Sequence, residues 1–160
     1  MPQHSQEVSF LLRVVQPGLV GLIDGSISTL APLFAAAFAA QSTHIAFLVG
    51  SAAAVGAGIS MAFAEGLSDT GEHTGRGHPF MRGIIVGVMT FVGGIFHTLP
   101  FLLPSLGAAL SLAYAVVGIE LVAIGYIRFH FFKLSFLLSI VQVVFGGALV
   151  FLAGILIGNA

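Results

Sequence analysis

Long apolar segments alternate with short polar connections along this chain. A helix needs about 20 mainly apolar residues to cross the hydrocarbon of a bilayer. Five segments of about that length are present, at residues 18–40, 45–65, 80–103, 105–127 and 136–157. The pattern predicts five transmembrane helices, with a short polar loop at 66–79 between the second and third.

The residues before the first span follow a helical period. Val8, Leu11, Leu12 and Val15 recur at i, i+3, i+4 and i+7, which is typical of one apolar helix face. We therefore expect a short amphipathic helix on the membrane surface, ended by Pro17. A frayed tail is the alternative.

Composition supports a membrane protein and excludes several other classes. Hydrophobic residues make up 58% of the 160 residues and charged residues only 7%, whereas soluble domains carry about 25% charged residues. The expected fold is a single all-α integral membrane domain, residues 1–160, with no room for a soluble domain. No basic patch points to nucleic acid, and no nucleophile–base pair points to an enzyme.

The basic residues give an orientation. All of them precede span 1 or lie between spans 2 and 3 or spans 4 and 5, at Arg13, Arg76, Arg82, Arg128 and Lys133. With five spans these connections share one side, which the positive-inside rule places in the cytoplasm. The N-terminus is expected in the cytoplasm and the C-terminus outside, in a membrane that we expect to be the bacterial inner membrane.

One carboxylate lies inside the first span. Asp24 stands between Gly21 and Gly25, and a charge within a span costs roughly 2.5 kcal/mol or more, so such residues are usually functional. Two glycines four apart let another helix approach closely, and we expect helix packing or dimer contact there. An aspartate that only caps the helix start is the alternative.

Further candidate ligands lie on other spans. Met61 and Glu65 are four apart on span 2, and Glu120 lies about two turns before the predicted end of span 4. The orientation places these three and Asp24 at similar depth near the cytoplasmic face, so the sequence predicts a cation site. With no cysteine in the chain, carboxylate, imidazole, thioether or carbonyl groups must hold the metal. For Glu120, a hydrogen bond to a neighbouring helix is the alternative.

Secondary candidates for metal or proton handling lie in the loop and on span 3. The loop offers Asp69, Glu72 and His73, for which an ordinary solvated loop is the alternative. His97 lies in the outer third of span 3, where a packing role competes with proton handling.

The residues around Asp24 and Met61 resemble the vacuolar iron transporter (VIT) family. The resemblance rests on the motifs Gly21–Ser28 and Ser60–Glu65, and the order of five spans agrees with it. The runs Asp24–Pro32 and Gly146–Phe151 are similar to the membrane half of bacterial membrane-bound ferritin-type iron exporters.

The resemblance implies a homodimer in membrane lipid, with a metal path between the two copies of span 1 lined by Asp24 and Met61. It also implies transport of Fe²⁺ in exchange for protons, with the metal as substrate and no permanently bound cofactor. Two departures matter. Residues 67–79 replace a long Glu-rich segment, and Ala53 stands where an acid is common. The fused ferritin-like domain is also missing, so a separate ferritin-like protein is a candidate partner.

The leading hypothesis is therefore a divalent metal transporter, with Asp24, Met61 and Glu65 as its site and Fe²⁺ or Mn²⁺ as substrate. A small accessory subunit of a larger membrane complex and a cation channel are the alternatives.

Overall fold

A computed structural model describes residues 2–68, 70–71 and 74–160, and their regular structure is helical. The α-helices are α1 (Pro2–Phe10), α2 (Gln16–Ser28), α3 (Leu30–Ala40), α4 (Thr43–Gly66), α5 (Pro79–Phe96), α6 (Leu106–Phe132) and α7 (Phe136–Gly158). A π-helical turn, Leu11–Val15, joins α1 to α2, and a 3₁₀ turn, Leu99–Leu102, follows α5.

Five helical segments are long and apolar enough to cross a bilayer, the first of them running continuously over Gln6–Ala40. Their outward faces are strongly apolar: Ile119, Leu137 and Leu156 are 69%, 73% and 73% exposed. Such a surface is compatible with lipid and unfavourable in water. The predicted all-helical architecture with five long apolar helices is therefore confirmed.

The first span does not begin where the sequence predicted. The prediction that a separate surface helix ends at Pro17 is wrong, since the chain stays helical from α1 through α2. Proline lacks the N–H that a helix interior requires. The π turn directly before Pro17 widens the backbone and absorbs this mismatch, with the Gln16 N–H bonding to the Leu11 carbonyl.

A second proline explains the one-residue break between α2 and α3. The ring of Pro32 cannot donate to the carbonyl of Ser28 and crowds it. Regular α-helix accordingly stops at Ser28 and resumes at Leu30, leaving Thr29 as a joint between the two halves of the span.

Close backbone contacts hold α2, α4 and α5 together. A Cβ atom at Gly21 would overlap the carbonyl oxygen of Val86, and one at Gly25 would overlap that of Thr90. On the other side of α5, a Cβ at Gly58 would lie 2.9 Å from the carbonyl oxygen of Gly87. Gly21 and Gly25 thus pack against α5 of the same chain, and that face of α2 is not free to form a dimer contact.

Gly25→Ala is expected to destabilise the bundle. The added methyl meets backbone that cannot rotate away, and overpacking of this kind costs about 1–3 kcal/mol. Thermal unfolding in detergent, followed by circular dichroism, measures the loss. Gly56→Ala is the matched control, because nothing lies within 4 Å of a Cβ there and alanine favours helix over glycine. Equal melting temperatures for the two variants would contradict the packing argument.

The opposite end of the bundle is held by α3 and α7 and by aromatic side chains. Gly154 and Gly158 of α7 lie against the backbone of α3, with a Cβ at Gly154 only 2.9 Å from the Ala31 carbonyl oxygen. Phe34 of α3 packs edge-on against Phe151, with ring centroids 4.9 Å apart.

The two ends of the bundle differ in charge. A Cβ at Gly77 would contact the side chain of Arg13 at 3.0 Å, so the first span begins beside the loop between α4 and α5. Phe132 at the end of α6 packs into the cluster around Leu19, near the same end. We call this the loop end and the opposite one the far end. All the basic residues lie towards the loop end, as the sequence predicted.

Candidate functional site

Asp24 faces away from the bundle of its own chain. The adjacent faces of α2 are occupied, by α5 at Gly21 and Gly25 and by α6 and α7 around Ile23. Val20 lies four residues before Asp24 and Ser28 four residues after it, and both are exposed. Asp24 itself is half-buried and makes no hydrogen bond or ion pair with any described residue.

Contacts on α5 give the relative depth of the other ligands. Gly25 meets α5 at Thr90 and Gly58 of α4 meets it at Gly87 and Phe91, so Asp24 and Gly58 lie at nearly the same level. At 1.5 Å per residue, Met61 is then roughly 5 Å and Glu65 roughly 10 Å closer to the loop end than Asp24. Asp24 and Met61 thus lie about one helical turn apart in depth, whereas Glu65 lies about one turn further towards the loop end.

Glu65 is engaged by two arginines. Its Oε1 accepts hydrogen bonds from Nε of Arg82 at 2.7 Å and from Nη2 of Arg76 at 2.8 Å. Arg82 is buried, with its side chain 1% exposed, and it also donates to the carbonyl of Gly77. In this arrangement Glu65 Oε1 is occupied by the two arginines, so Glu65 joins a metal only if the arginines release it.

Glu120 lies far from Glu65 along the bundle axis, and its predicted position near the end of span 4 is wrong. Because α6 continues to Phe132 instead of ending near Ile127, Glu120 falls in the middle of the helix and not near its end. Its carboxylate bonds His97, which directly follows α5 and is fifteen residues beyond Arg82. Glu120 therefore lies about 20 Å deeper than Glu65 along the bundle axis.

Glu120 instead belongs to a buried polar chain. Its Oε2 lies 2.9 Å from Nδ1 of His97, and Nε2 of His97 lies 2.7 Å from Oγ1 of Thr29. The Thr29 hydroxyl is also 2.8 Å from the Gly25 carbonyl oxygen. Thr29 and His97 are at most 1% exposed and Glu120 is 7% exposed. The alternative in which Glu120 bonds a neighbouring helix is the one observed, and His97 is its partner.

The loop candidates Asp69, Glu72 and His73 lie outside the residues that the structure describes. Within the described ranges, no group of three or more His, Asp or Glu side chains converges as a metal site would require. Among the described residues, a single chain therefore offers no site built from three such side chains. Any metal held by Asp24 and Met61 needs further donors.

Sequence reasoning missed Arg82 and Thr29. Arg82 is a charge inside a predicted span, which is a signal of function or pairing, but it was counted only as a topology marker. Thr29 precedes Pro32 by three residues, and that spacing could have indicated a break in the helix.

Comparison with known proteins adds no relative: the chain matches no family profile, no curated protein and no solved structure.

Proposed function

We propose that this protein is a homodimeric transporter that moves a divalent metal ion, Fe²⁺ or Mn²⁺, out of the cytoplasm in exchange for protons. The observation that carries the proposal is the outward-facing carboxylate of Asp24, half-buried and without a partner among the described residues. The resemblance to the VIT family at the same residues supports it.

A second copy explains the position of Asp24. A carboxylate facing lipid costs roughly 2.5 kcal/mol or more in a spanning helix. Two copies packed through the outward face of α2 would remove both Asp24 side chains from lipid and set them opposite each other. Two facing carboxylates repel, and a divalent cation between them relieves the repulsion, so this contact selects for a metal.

Met61 extends this site towards the loop end. It is half-buried and lies about one helical turn below Asp24. A thioether is a soft ligand, which favours Fe²⁺ over Mn²⁺ slightly and both over Ca²⁺. Glu65 lies one turn further towards the loop end, and we assign it to the first binding of the metal ion. Arg76 and Arg82 hold Glu65 while no metal is present.

The distribution of charge supports the proposed orientation, and the resemblance to exporters supports the proposed direction of transport. The loop end carries the basic residues, and the positive-inside rule places such an end in the cytoplasm. The metal would enter past Glu65 and Met61, reach Asp24, and leave towards the far end once protons reach the carboxylates.

Metal uptake into dye-loaded proteoliposomes tests the function. Saturable flux of reduced Fe²⁺, with Mn²⁺ slower and Ca²⁺ near background, is the expected result. Flux that rises linearly with metal concentration would identify a channel. No flux from folded, dimeric protein would favour the accessory-subunit alternative.

The dimer contact is tested by cross-linking, for which the cysteine-free chain is well suited. Ser28→Cys, on the exposed face that carries Asp24, is expected to form a disulfide-linked dimer in lipid under mild oxidation. Leu152→Cys, exposed on α7, is the control and should stay monomeric on a non-reducing gel. Cross-linking of Leu152→Cys alone would move the interface to α7 and remove the support for a path at Asp24.

A further inference from the structure

A chain of hydrogen-bonding groups crosses the centre of the bundle from α2 to α6. It runs from the Gly25 carbonyl through the Thr29 hydroxyl and the His97 ring to the Glu120 carboxylate, with separations of 2.8, 2.7 and 2.9 Å. Each distance is that of a hydrogen bond. Since each bond needs one proton, the number of protons follows from which bonds are made.

The Thr29 hydroxyl has a single proton and can donate only once. If it donates to Gly25, Nε2 of His97 must bring its own proton, and the contact between Nδ1 and Glu120 needs one more. Three protons then hold the chain. If the hydroxyl instead donates to Nε2, a proton on Nδ1 completes the contact with Glu120, and two protons suffice.

We propose that the His97–Glu120 pair is a proton-binding site that takes up one proton per chain and signals its state through Thr29. In the loaded state, His97 carries protons on both ring nitrogens beside a Glu120 carboxylate, or the Nδ1 proton lies on Glu120. Unloading releases the Nε2 proton to water and leaves Nδ1–H donating to the carboxylate. The Thr29 hydroxyl then turns from the Gly25 carbonyl to Nε2.

The position of Thr29 gives this switch a mechanical consequence. Thr29 is the joint between α2 and α3, and a hydroxyl bonded to the carbonyl four residues back bends a helix. Proton uptake by the His97–Glu120 pair makes the bond between the Thr29 hydroxyl and the Gly25 carbonyl, and proton release breaks it. The bond ends at Gly25, adjacent to Asp24, so the proton state of the pair acts on the helix that carries the outward-facing carboxylate.

The surroundings of the pair fit a proton site. Oε1 of Glu120 and the hydroxyl of Ser26 are buried without a hydrogen-bond partner among the described residues. The helices packed around the pair bring few other titratable groups. In the described residues these are Asp24 on α2, His44 and Glu65 on α4, Arg82 on α5, and Tyr114, Tyr126, Arg128 and His130 on α6, while α3 and α7 have none.

This inference goes beyond metal transport, because the proton site does not include Asp24, Met61 or Glu65 and binds its proton with or without metal.

The test is therefore made without metal, by ¹⁵N magnetic resonance of the His97 ring in lipid nanodiscs at a series of pH values. His97→Asn assigns the signals by their disappearance, and the exposed His130→Asn should leave them unchanged. As pH rises, Nε2 should lose its proton while Nδ1 keeps one.

Two variants separate the proton site from its signal. Glu120→Gln keeps the side-chain shape but should remove the Nε2 transition, leaving a neutral ring throughout. In the wild type and in Thr29→Ser, which keeps the hydroxyl, the ¹³C shift of the Gly25 carbonyl should change with pH at the midpoint of the Nε2 transition. In Thr29→Val, which lacks the hydroxyl, that shift should stay constant across pH.

If Nε2 of His97 keeps its proton, or lacks it, at every pH at which the wild type is folded, the proposal is overturned. This outcome needs no variant. A transition that persists unchanged in Glu120→Gln would also overturn the proposal. Because no metal is used, a negative result in this experiment would not contradict the proposed metal site. Absence of metal flux would likewise not contradict a proton site at His97 and Glu120.

Discussion

Asp24→Asn is expected to lower the rate of Fe²⁺ uptake by at least about tenfold while leaving the folded protein intact. Loss of a group that supports a metal site typically costs 10- to 100-fold, and Asp24 is proposed as a direct ligand. Asparagine has the same size, and no described residue bonds Asp24, so stability should change little. Initial rates in dye-loaded proteoliposomes and melting temperatures of the same preparations measure the two effects.

Ser28→Ala is the matched control for this variant. It lies four residues from Asp24 on the same exposed face and should transport as the wild type does. Unchanged flux in Asp24→Asn would refute the assignment of the site. Equal losses of Fe²⁺ uptake in both variants would mean that this face of α2 contributes packing and that Asp24 is not a ligand.

Glu65→Ala is expected to lower the free energy of unfolding by about 3–5 kcal/mol, because it removes one partner of a buried ion pair. Arg82 keeps its bond to the Gly77 carbonyl, which places the expectation at the lower end of that range. Thermal or chemical unfolding in detergent measures the change. Glu7→Ala, an exposed acid on α1, should stay within about 0.5 kcal/mol of the wild type.

A double variant separates charge from shape at this pair. Glu65→Leu combined with Arg82→Met replaces both charges with apolar groups, and such replacements are often neutral or stabilising. The double variant should therefore be more stable than either single one. If the losses simply add, the two side chains are not coupled, and the ion pair contributes little to the fold.

Local signals in the sequence predicted the helices and several contacts. The apolar segments identified all five long helices, and the spacing of Gly21 and Gly25 indicated a close helix contact, which lies against α5. Such features depend on residues a few positions apart. The start of the first span was missed because the prediction assumed that Pro17 must end a helix, whereas a π turn accommodates it.

The site was harder to predict because its partners are distant in sequence. His97 and Glu120 are 23 positions apart and Thr29 and His97 are 68 apart, so only the packing of three helices brings them together. The depth assigned to Glu120 failed for a simpler reason. Aromatic residues continue α6 by more than a turn past the predicted end, which moved the acid from the end of the helix to its centre.

The glycine contacts among α2, α4 and α5 have a consequence for biosynthesis. All three helices lie in the first 96 residues, and their contacts are mainly between backbones, so this half of the bundle can assemble while the ribosome is still making the rest. α3 also packs against α4, but its contact with α7 must wait until the last helix is made. The emerging protein should therefore pass through an intermediate in which the face of α3 that meets α7 stays uncovered until translation is complete.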